Sequence, residues 1–450
     1  MNNIQLYDIL NEWNFWNKPI STELTGFDRN NYIKKLLPLL TSREVLILSG
    51  ARRAGKSTII YQLIKRLALR GTDISQILYV NFEDYRFAGL LNTDLLEKIS
   101  DTYFEKVNPL KRPCFFFWDE VQDVENFEKY LRTIYDQKRP IKFIISGSNS
   151  KISSGEIADV LTGRNITSNI YPLSFLEYFE RKNSCAIQQG EPLEKLYMSL
   201  QEQRPLIKNT LDLYIKQGGY PEIVQAFSRN EEYQAGRIIT QYFEDIILKD
   251  VVKRFELRNT HTVLNLARFC IENTGNLLSY TKIANTLQVN KKMLIDYFDH
   301  FEKAFFVFQN RFFSWKVKET IAANKPKKIY MIDHFYKSHM GLQTDIGRVV
   351  ENIVYLELKN HYNELFYWQG EGEVDFIARA KKAVLAIQVS YSNEIAQREL
   401  VPLIECAKTL RTEKLFLITE DVFKKEKVNG VEINFIPLWL FLFADKEAVF

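Results

Sequence analysis

Between residues 44 and 171 the chain switches repeatedly between two hydrophobic patterns. Short apolar runs end in small or polar residues, and the strands they predict lie at 44–49, 77–82, 114–118, 142–146 and 167–171. The runs are continuous rather than alternating, as expected of strands buried on both faces of a parallel sheet. The stretches between them have helical spacing, as at Ile59, Ile60, Leu63 and Leu67. Strand–helix alternation of this kind predicts an α/β fold with a parallel sheet. The pattern differs on either side of this region. Residues 1–40 read as a helical lead-in, and 174–260 show helical spacing with no strand runs.

From residue 262 the pattern changes again. A helix at 263–271 precedes a short helix, a turn at Gln288-Val289-Asn290 and a helix from Lys291, the spacing of a helix-turn-helix. The runs "FFVFQNRFF" and "KKIYMID" then read as a β-wing, completing a winged helix. After about residue 340 come a helix at 349–358, strands at "LFYWQ", "EVDFIARA" and "AVLAIQVSYS", a helix at 396–410 and a strand at "KLFLIT". The expected organisation is thus a lead-in (1–40), a parallel-sheet core (41–172), a helical lid (173–260), a winged helix (261–337) and a final α/β domain (338–450).

The strongest chemical signal follows the first strand. Gly50-Ala51-Arg52-Arg53-Ala54-Gly55-Lys56-Ser57 fits G-x-x-x-x-G-K-[ST] without mismatch. Glycines let the loop turn tightly, and loop N–H groups with the helix N-terminus cradle phosphate. Lys56 is expected to reach the β- and γ-phosphates and Ser57 to hold Mg²⁺, with Thr58 beside it in the helix. "CFFFWDE" supplies the second part. Asp119 would hold Mg²⁺ and Glu120 would orient or activate the attacking water. Two carboxylates favour hydrolysis over simple binding. Ser148 or Asn149, after the fourth strand, is the candidate sensor of the γ-phosphate. At the end of the second strand, Glu83 or Asp84 would face the phosphates or the loop arginines, or simply lie in solvent. The bound species implied are ATP or ADP with Mg²⁺.

Composition narrows the class. The chain has 450 residues, 46% hydrophobic and 26% charged, as in ordinary globular proteins. No apolar run approaches the length of a membrane span, and the N-terminus lacks a secretion-signal pattern. The four cysteines lie far apart, with no metal-ligand spacing. The expectation is a reduced, cytoplasmic protein without a membrane partner. The net charge of +4 is uneven: Val251 to Tyr330 holds 14 Lys/Arg against 6 Asp/Glu, or +8. A basic helix-turn-helix admits DNA as a partner, with Lys291 and Lys292 at the helix start as the contacts. The same motif also serves as a protein-packing module.

The final domain places Glu351 on a helix, Asp375 on a strand and Gln388 on the next strand, the layout of restriction-type nuclease cores. Ser390 stands where such cores carry a lysine, and Gln388 is a neutral ligand. The readings are a depleted binding version, an active nuclease, or an unrelated small α/β domain. Glu373, next to Asp375, is a further carboxylate that could substitute as a ligand, though it is expected on the opposite strand face.

The ordered set "SGARRAGKST", "FFFWDEVQD", "ISGSNS", "LTGR", "GGYPE", "KKIYMID" and "GEVDFIA…IQVSYS" spans nearly the whole chain. It resembles a large bacterial and archaeal family of AAA-type ATPases that carry a C-terminal domain of unknown function, number 4143. The resemblance implies a C-terminal domain similar to the PD-(D/E)XK nuclease fold, with the "IQVS" ending as a family trait. It also implies two roles. Arg164, before the fifth strand, would complete a nucleotide site as an arginine finger, in cis or across a homo-oligomer; the alternative is a locally paired loop arginine. Pro221, in the turn Gly219-Tyr220-Pro221, would pack on adenine; the alternative is a plain helix start. Three functions remain open: an ATPase coupled to nucleic-acid handling, a nucleotide-gated protein-assembly switch, and an ATP-dependent nuclease.

Overall fold

The computed structural model describes residues 2–147, 160–320, 325–343, 345–380 and 383–446. The chain forms two compact units, Met1–Tyr171 and Pro172–Phe450.

The first unit is built on five strands: β1 (Val45–Gly50), β2 (Ile77–Asn81), β3 (Cys114–Asp119), β4 (Ile141–Gly147) and β5 (Asn165–Ile170). They lie in the order β2-β3-β4-β1-β5, and every pairing is parallel. All strand C-termini therefore share one edge, where ligands bind in open α/β sheets. Apolar side chains of the strands, such as Val80, Phe116, Trp118 and Phe143, meet Leu96 and Ile99 of the helix Thr93–Lys106 and Leu131 of Phe127–Asp136. Each large side chain removed from water in this way contributes about 1.5–3 kcal/mol. The lead-in is part of the same unit. Its helix Asn3–Trp13 begins in an Asn2/Gln5 capping box and buries Leu6, Ile9 and Leu10 in this core. Asn14 then bonds both polar backbone groups of Tyr79 in β2 at 2.7 and 2.9 Å, as a further strand would.

The second unit opens with helices, among them Phe175–Asn183, Arg204–Gln217, Pro221–Ser228 and Glu232–Asp245, the last running on as a π-helical stretch over Ile246–Lys253. Helices Tyr280–Leu287 and Lys291–Lys303 follow, joined by a tight turn with Gln288 left-handed at φ 52° and Asn290 capping the second helix. A nine-stranded sheet takes the rest. Its strands are β6 (Leu277–Leu278), β7 (Val307–Phe312), β8 (Lys327–Met331), β9 (Leu365–Gln369), β10 (Glu373–Ala380), β11 (Ala383–Ser390), β12 (Lys414–Thr419), β13 (Lys424–Val428) and β14 (Val431–Pro437). The order is β13-β14-β12-β11-β10-β9-β7-β8-β6. The antiparallel β7–β8 pair follows the two helices, and β7 pairs in parallel with β9 through Arg311↔Phe366. One sheet thus runs through segments that sequence patterning divides at residue 337. Strands β13 and β14 and the helix Leu438–Phe443 lie beyond the elements read from the sequence. Among the described residues no helix is long and apolar enough to cross a membrane.

Candidate functional site

The phosphate loop joins β1 to the helix Lys56–Leu69. Its bend depends on two glycines. A Cβ on Gly50 would sit 2.1 Å from the carbonyl oxygen of Ile170, its partner in β5. Gly55 is left-handed at φ 98°, a region costly for other residues. Arg53 is also left-handed, at φ 64°. Consecutive turns of this kind aim backbone N–H groups inward, forming an anion nest with the helix N-terminus.

Lys56 is almost fully buried; its ammonium donates to the carbonyls of Gly50 and Ala51 at 3.2 Å and lies 3.4 Å from Glu120 Oε1. Asp119, at the end of β3, is buried and receives the Tyr79 hydroxyl at 2.9 Å on Oδ2 and the Ser146 hydroxyl on Oδ1, with the Ser57 hydroxyl close enough to favour its ionised form. Strand register explains the grouping, because Asn81 is level with Asp119 and Trp118 with Ile145. Burial and the charge of Glu120 push the Asp119 carboxyl up, against the pull of these donors. Burial also raises Glu120, but Lys56, the Gln122 amide at 2.8 Å and Arg52 hold it below its ordinary value. Glu120 is thus kept ionised, as a base must be. Arg52 in addition meets Glu83 at 3.2 Å, so Glu83 is the strand-end carboxylate facing the loop. Asp84 is engaged elsewhere, by Arg86 and Trp13. Ser57 and Asp119 offer adjacent oxygen donors, the set a hard cation such as Mg²⁺ prefers, so these residues fit a bound Mg²⁺.

Arg29 is a buried residue that sequence patterning does not flag. Its Nη1 donates at 2.9 Å to the carbonyls of Ala54 in the loop and Tyr171 after β5, and its guanidinium lies 4.6 Å from the Tyr32 ring centroid. Gln62, on the loop helix, holds the same segment through Thr25, Phe27 and Arg29 backbone bonds. The lead-in therefore braces the phosphate loop.

Arg164 sits apart from this cluster. Asn165 is level with Val45, at the start of β1, so Arg164 lies at the sheet edge opposite the loop, roughly 17 Å away along the strand. It meets Asp136 at 3.2 Å. It does not reach the phosphate loop of its own chain, which removes the in-cis expectation. Ser148 and Asn149 lie outside the described residues. Pro221 starts its helix in the second unit. The turn before it is packed locally: the Gly219 N–H donates to Asp333 at 2.8 Å, and a Cβ on Gly219 would meet the Leu173 carbonyl at 2.4 Å. The "GGYPE" and "YMID" segments thus meet. Lys291 and Lys292 are exposed at the start of their helix.

Glu351, Asp375 and Gln388 do come together, but around a lysine. The Lys328 ammonium, from β8, is 2.7 Å from Glu351, 2.8 Å from Asp375 and 2.6 Å from Glu373, so Glu373 does not point to the opposite strand face as expected: two residues from Asp375, it shares that residue's face. The second oxygens of Glu351 and Asp375 are also engaged, Glu351 Oε2 by Arg348 at 2.7 Å and Asp375 Oδ2 by the Val389 N–H at 2.9 Å. Gln388 turns its carbonyl to the Asp375 N–H and its amide to Glu399. Burial costs Lys328 its charge, yet the carboxylates outweigh that and raise it. These residues do not fit a divalent cation, and among the described residues no metal-holding His/Cys/Asp/Glu group occurs.

Residues 42–179 match an AAA domain family, 208–345 the domain of unknown function 8612, and 346–441 the domain of unknown function 4143. An uncharacterized protein of Methanocaldococcus jannaschii is 30% identical over 423 residues, covering 90% of this chain and 88% of the relative. One of Haemophilus influenzae is 27% identical over 418 residues, covering 92% and 98%. Among solved structures, a Walker-type ATPase of Pyrococcus abyssi shares 14% identity over 70% of this chain and 96% of its own, with a TM-score of 0.43. AMPPCP-bound DnaA from Aquifex aeolicus shares 14% over 66% and 93%, with a TM-score of 0.29. The chain belongs to the family of AAA-domain proteins that carry the domain of unknown function 4143 toward their C-terminal end.

Proposed function

We propose that this chain is a Mg²⁺-dependent ATPase that couples hydrolysis to nucleic-acid binding. The observation that carries the reading is the meeting of Lys56, Ser57, Asp119 and Glu120 at the C-terminal edge of one parallel sheet. Loop N–H groups and Lys56 hold and neutralise the β- and γ-phosphates. Ser57 and Asp119 would hold Mg²⁺, which supplies further charge neutralisation across those phosphates. Glu120, ionised and within reach of Lys56, accepts the proton of the attacking water. Tyr79 and Ser146 fix the Asp119 carboxylate in orientation.

The nucleic-acid half is supported by the exposed Lys291 and Lys292 at the head of the second of two helices joined by a tight turn. The test is steady-state ATP hydrolysis with and without single- and double-stranded DNA, with Lys56→Ala as control. Stimulation that fades with added salt is the expected result, since phosphate contacts release counterions. Slow turnover indifferent to DNA would refute the coupling.

Arg164 favours a second reading, a nucleotide-gated assembly switch. Its place at the edge opposite its own loop suits a role in a neighbouring copy's site. Nucleotide-dependent change in oligomer size, lost in Arg164→Ala, would support it.

A further inference from the structure

We propose that the Lys328 ammonium is a built-in substitute for a divalent cation in the C-terminal carboxylate cluster, which for that reason takes no metal. An ammonium has three N–H donors, and Lys328 finds three carboxylates, one each from Glu351, Glu373 and Asp375, at 2.6–2.8 Å. The contacts to Glu373 and Asp375 are hydrogen bonds, and the contact to Glu351 is an ion pair. The carboxylates arrive from a helix (Ile346–His361) and from β10, and the lysine from β8, so the cluster is assembled only by the fold.

Charge makes the same point. Glu351, Glu373 and Asp375 bring −3, and Lys328 with Arg348 brings +2. A Mg²⁺ or Mn²⁺ bound to these oxygens would need carboxylates about 2.0–2.2 Å from its centre, inside the volume the ammonium fills. Both cannot stay. Lys328 is 0% exposed, so expelling its ammonium means leaving a buried charge unpaired or moving it to water through packed neighbours. Tyr330, whose hydroxyl donates to Glu351 at 2.7 Å, and Arg348, which also bonds the Gly275 carbonyl at 2.8 Å, hold the helix carboxylate toward the lysine. Gln388 is held at both ends of its amide by other partners, its carbonyl oxygen accepting from the Asp375 N–H and its NH₂ donating to Glu399. The cluster thus works as an internal ion network joining β8 to β10 and the helix. The domain of this chain is a binding or assembly module without metal-dependent strand cleavage.

The test measures Mn²⁺ binding by electron paramagnetic resonance in the full, nucleotide-free chain. Every protein carries Asp119→Asn, so that the phosphate-loop site does not contribute. The parent should show no Mn²⁺ site that depends on Asp375. Lys328→Ala should bind Mn²⁺ at least about ten-fold more tightly than the parent, and adding Asp375→Asn should abolish the gain. If Lys328→Ala fails to fold by circular dichroism, Lys328→Met, which keeps the stem packed, takes its place. A Mn²⁺ site in the parent that Asp375→Asn removes would overturn the proposal. So would a folded Lys328 variant that gains no site.

Discussion

Removing the hydroxyl of Tyr79 should loosen the metal side of the nucleotide site without disturbing the fold. Tyr79 lies on β2, is 1% exposed, and donates at 2.9 Å to Asp119 Oδ2. Its ring packs against Tyr61 at a tilt, with centroids 4.9 Å apart, and on Trp13 at 6.1 Å. Tyr79→Phe keeps these ring contacts and deletes only the donor. A hydrogen bond to a charged group is worth about 1.5–3 kcal/mol. Loss of a partner that orients a metal ligand typically weakens metal binding about 10–100-fold. The two figures agree, since 1.4 kcal/mol is about ten-fold. Asp119 retains its bond to Ser146, so the carboxylate stays near the site but swings more freely. Free Mg²⁺ for half-maximal ATP hydrolysis should therefore rise about 10–100-fold, while the rate at saturating Mg²⁺ recovers most of its parent value. The assay is turnover at fixed saturating ATP across a Mg²⁺ series, with a thermal melt to check folding. A Mg²⁺ half-saturation within two-fold or so of the parent would refute the reasoning, as would a rate loss that Mg²⁺ does not restore.

Three further outcomes are expected. Glu120→Gln should lower turnover about 10²–10⁴-fold and leave nucleotide binding intact, as read with a fluorescent ATP analogue; lost binding would count against the base assignment. Arg164→Ala should leave ATP binding and the melting temperature unchanged, because its partly exposed pairing with Asp136 is worth under about 1 kcal/mol. Its turnover should nevertheless fall by about 10³-fold or more in an assembled state if the guanidinium completes a neighbour's site. Lys142, buried beside the carbonyls of Ser42 and Glu44, has its ammonium lowered to about 8 by burial. Between about 8 and the ordinary 10.5 the unfolded chain binds the extra proton, so stability should rise with pH across that window. Urea unfolding of Lys142→Met should lack this rise; an equal slope in both proteins would exclude Lys142 as its source.

The legible parts of this protein are those whose information is local. Gly50 to Ser57 are consecutive, so covalent connection alone brings the glycines, lysine and serine to one loop. Asp119 and Glu120 end a run of buried residues, and the end of such a strand is where a parallel sheet presents ligand-binding groups. The five strands of the first unit fall within a few residues of the ranges their apolar runs predict. Nothing in the local pattern marks Arg29: one arginine in a polar lead-in looks solvated, yet it is 2% exposed and bonded to the loop. Ser146 reads as a strand-ending serine until strand order brings β4 beside β3. Lys328 reads as one of a basic pair, "KK", in a segment counted toward DNA binding, while the fold turns it inward to three carboxylates.

The amino-acid sequence by itself determined the class of chemistry, because phosphate cradling needs small residues, a lysine and a hydroxyl at fixed spacing along one loop. It determined also which faces of the strands are buried, since side-chain alternation and continuous apolar runs are properties of neighbouring residues. Tertiary structure alone decided which buried faces meet. Tyr79 reaches Asp119 only because β2 pairs with β3 in a register that a slip of one residue would invert, turning the phenol to the other face. Arg164 is kept from its own loop only because β5 lies parallel to β1, which puts the start of one strand level with the start of the other. The metal-like corner of the C-terminal domain was settled by a lysine 47 positions before the aspartate it pairs with, a contact that depends on sheet order rather than on any spacing in the chain.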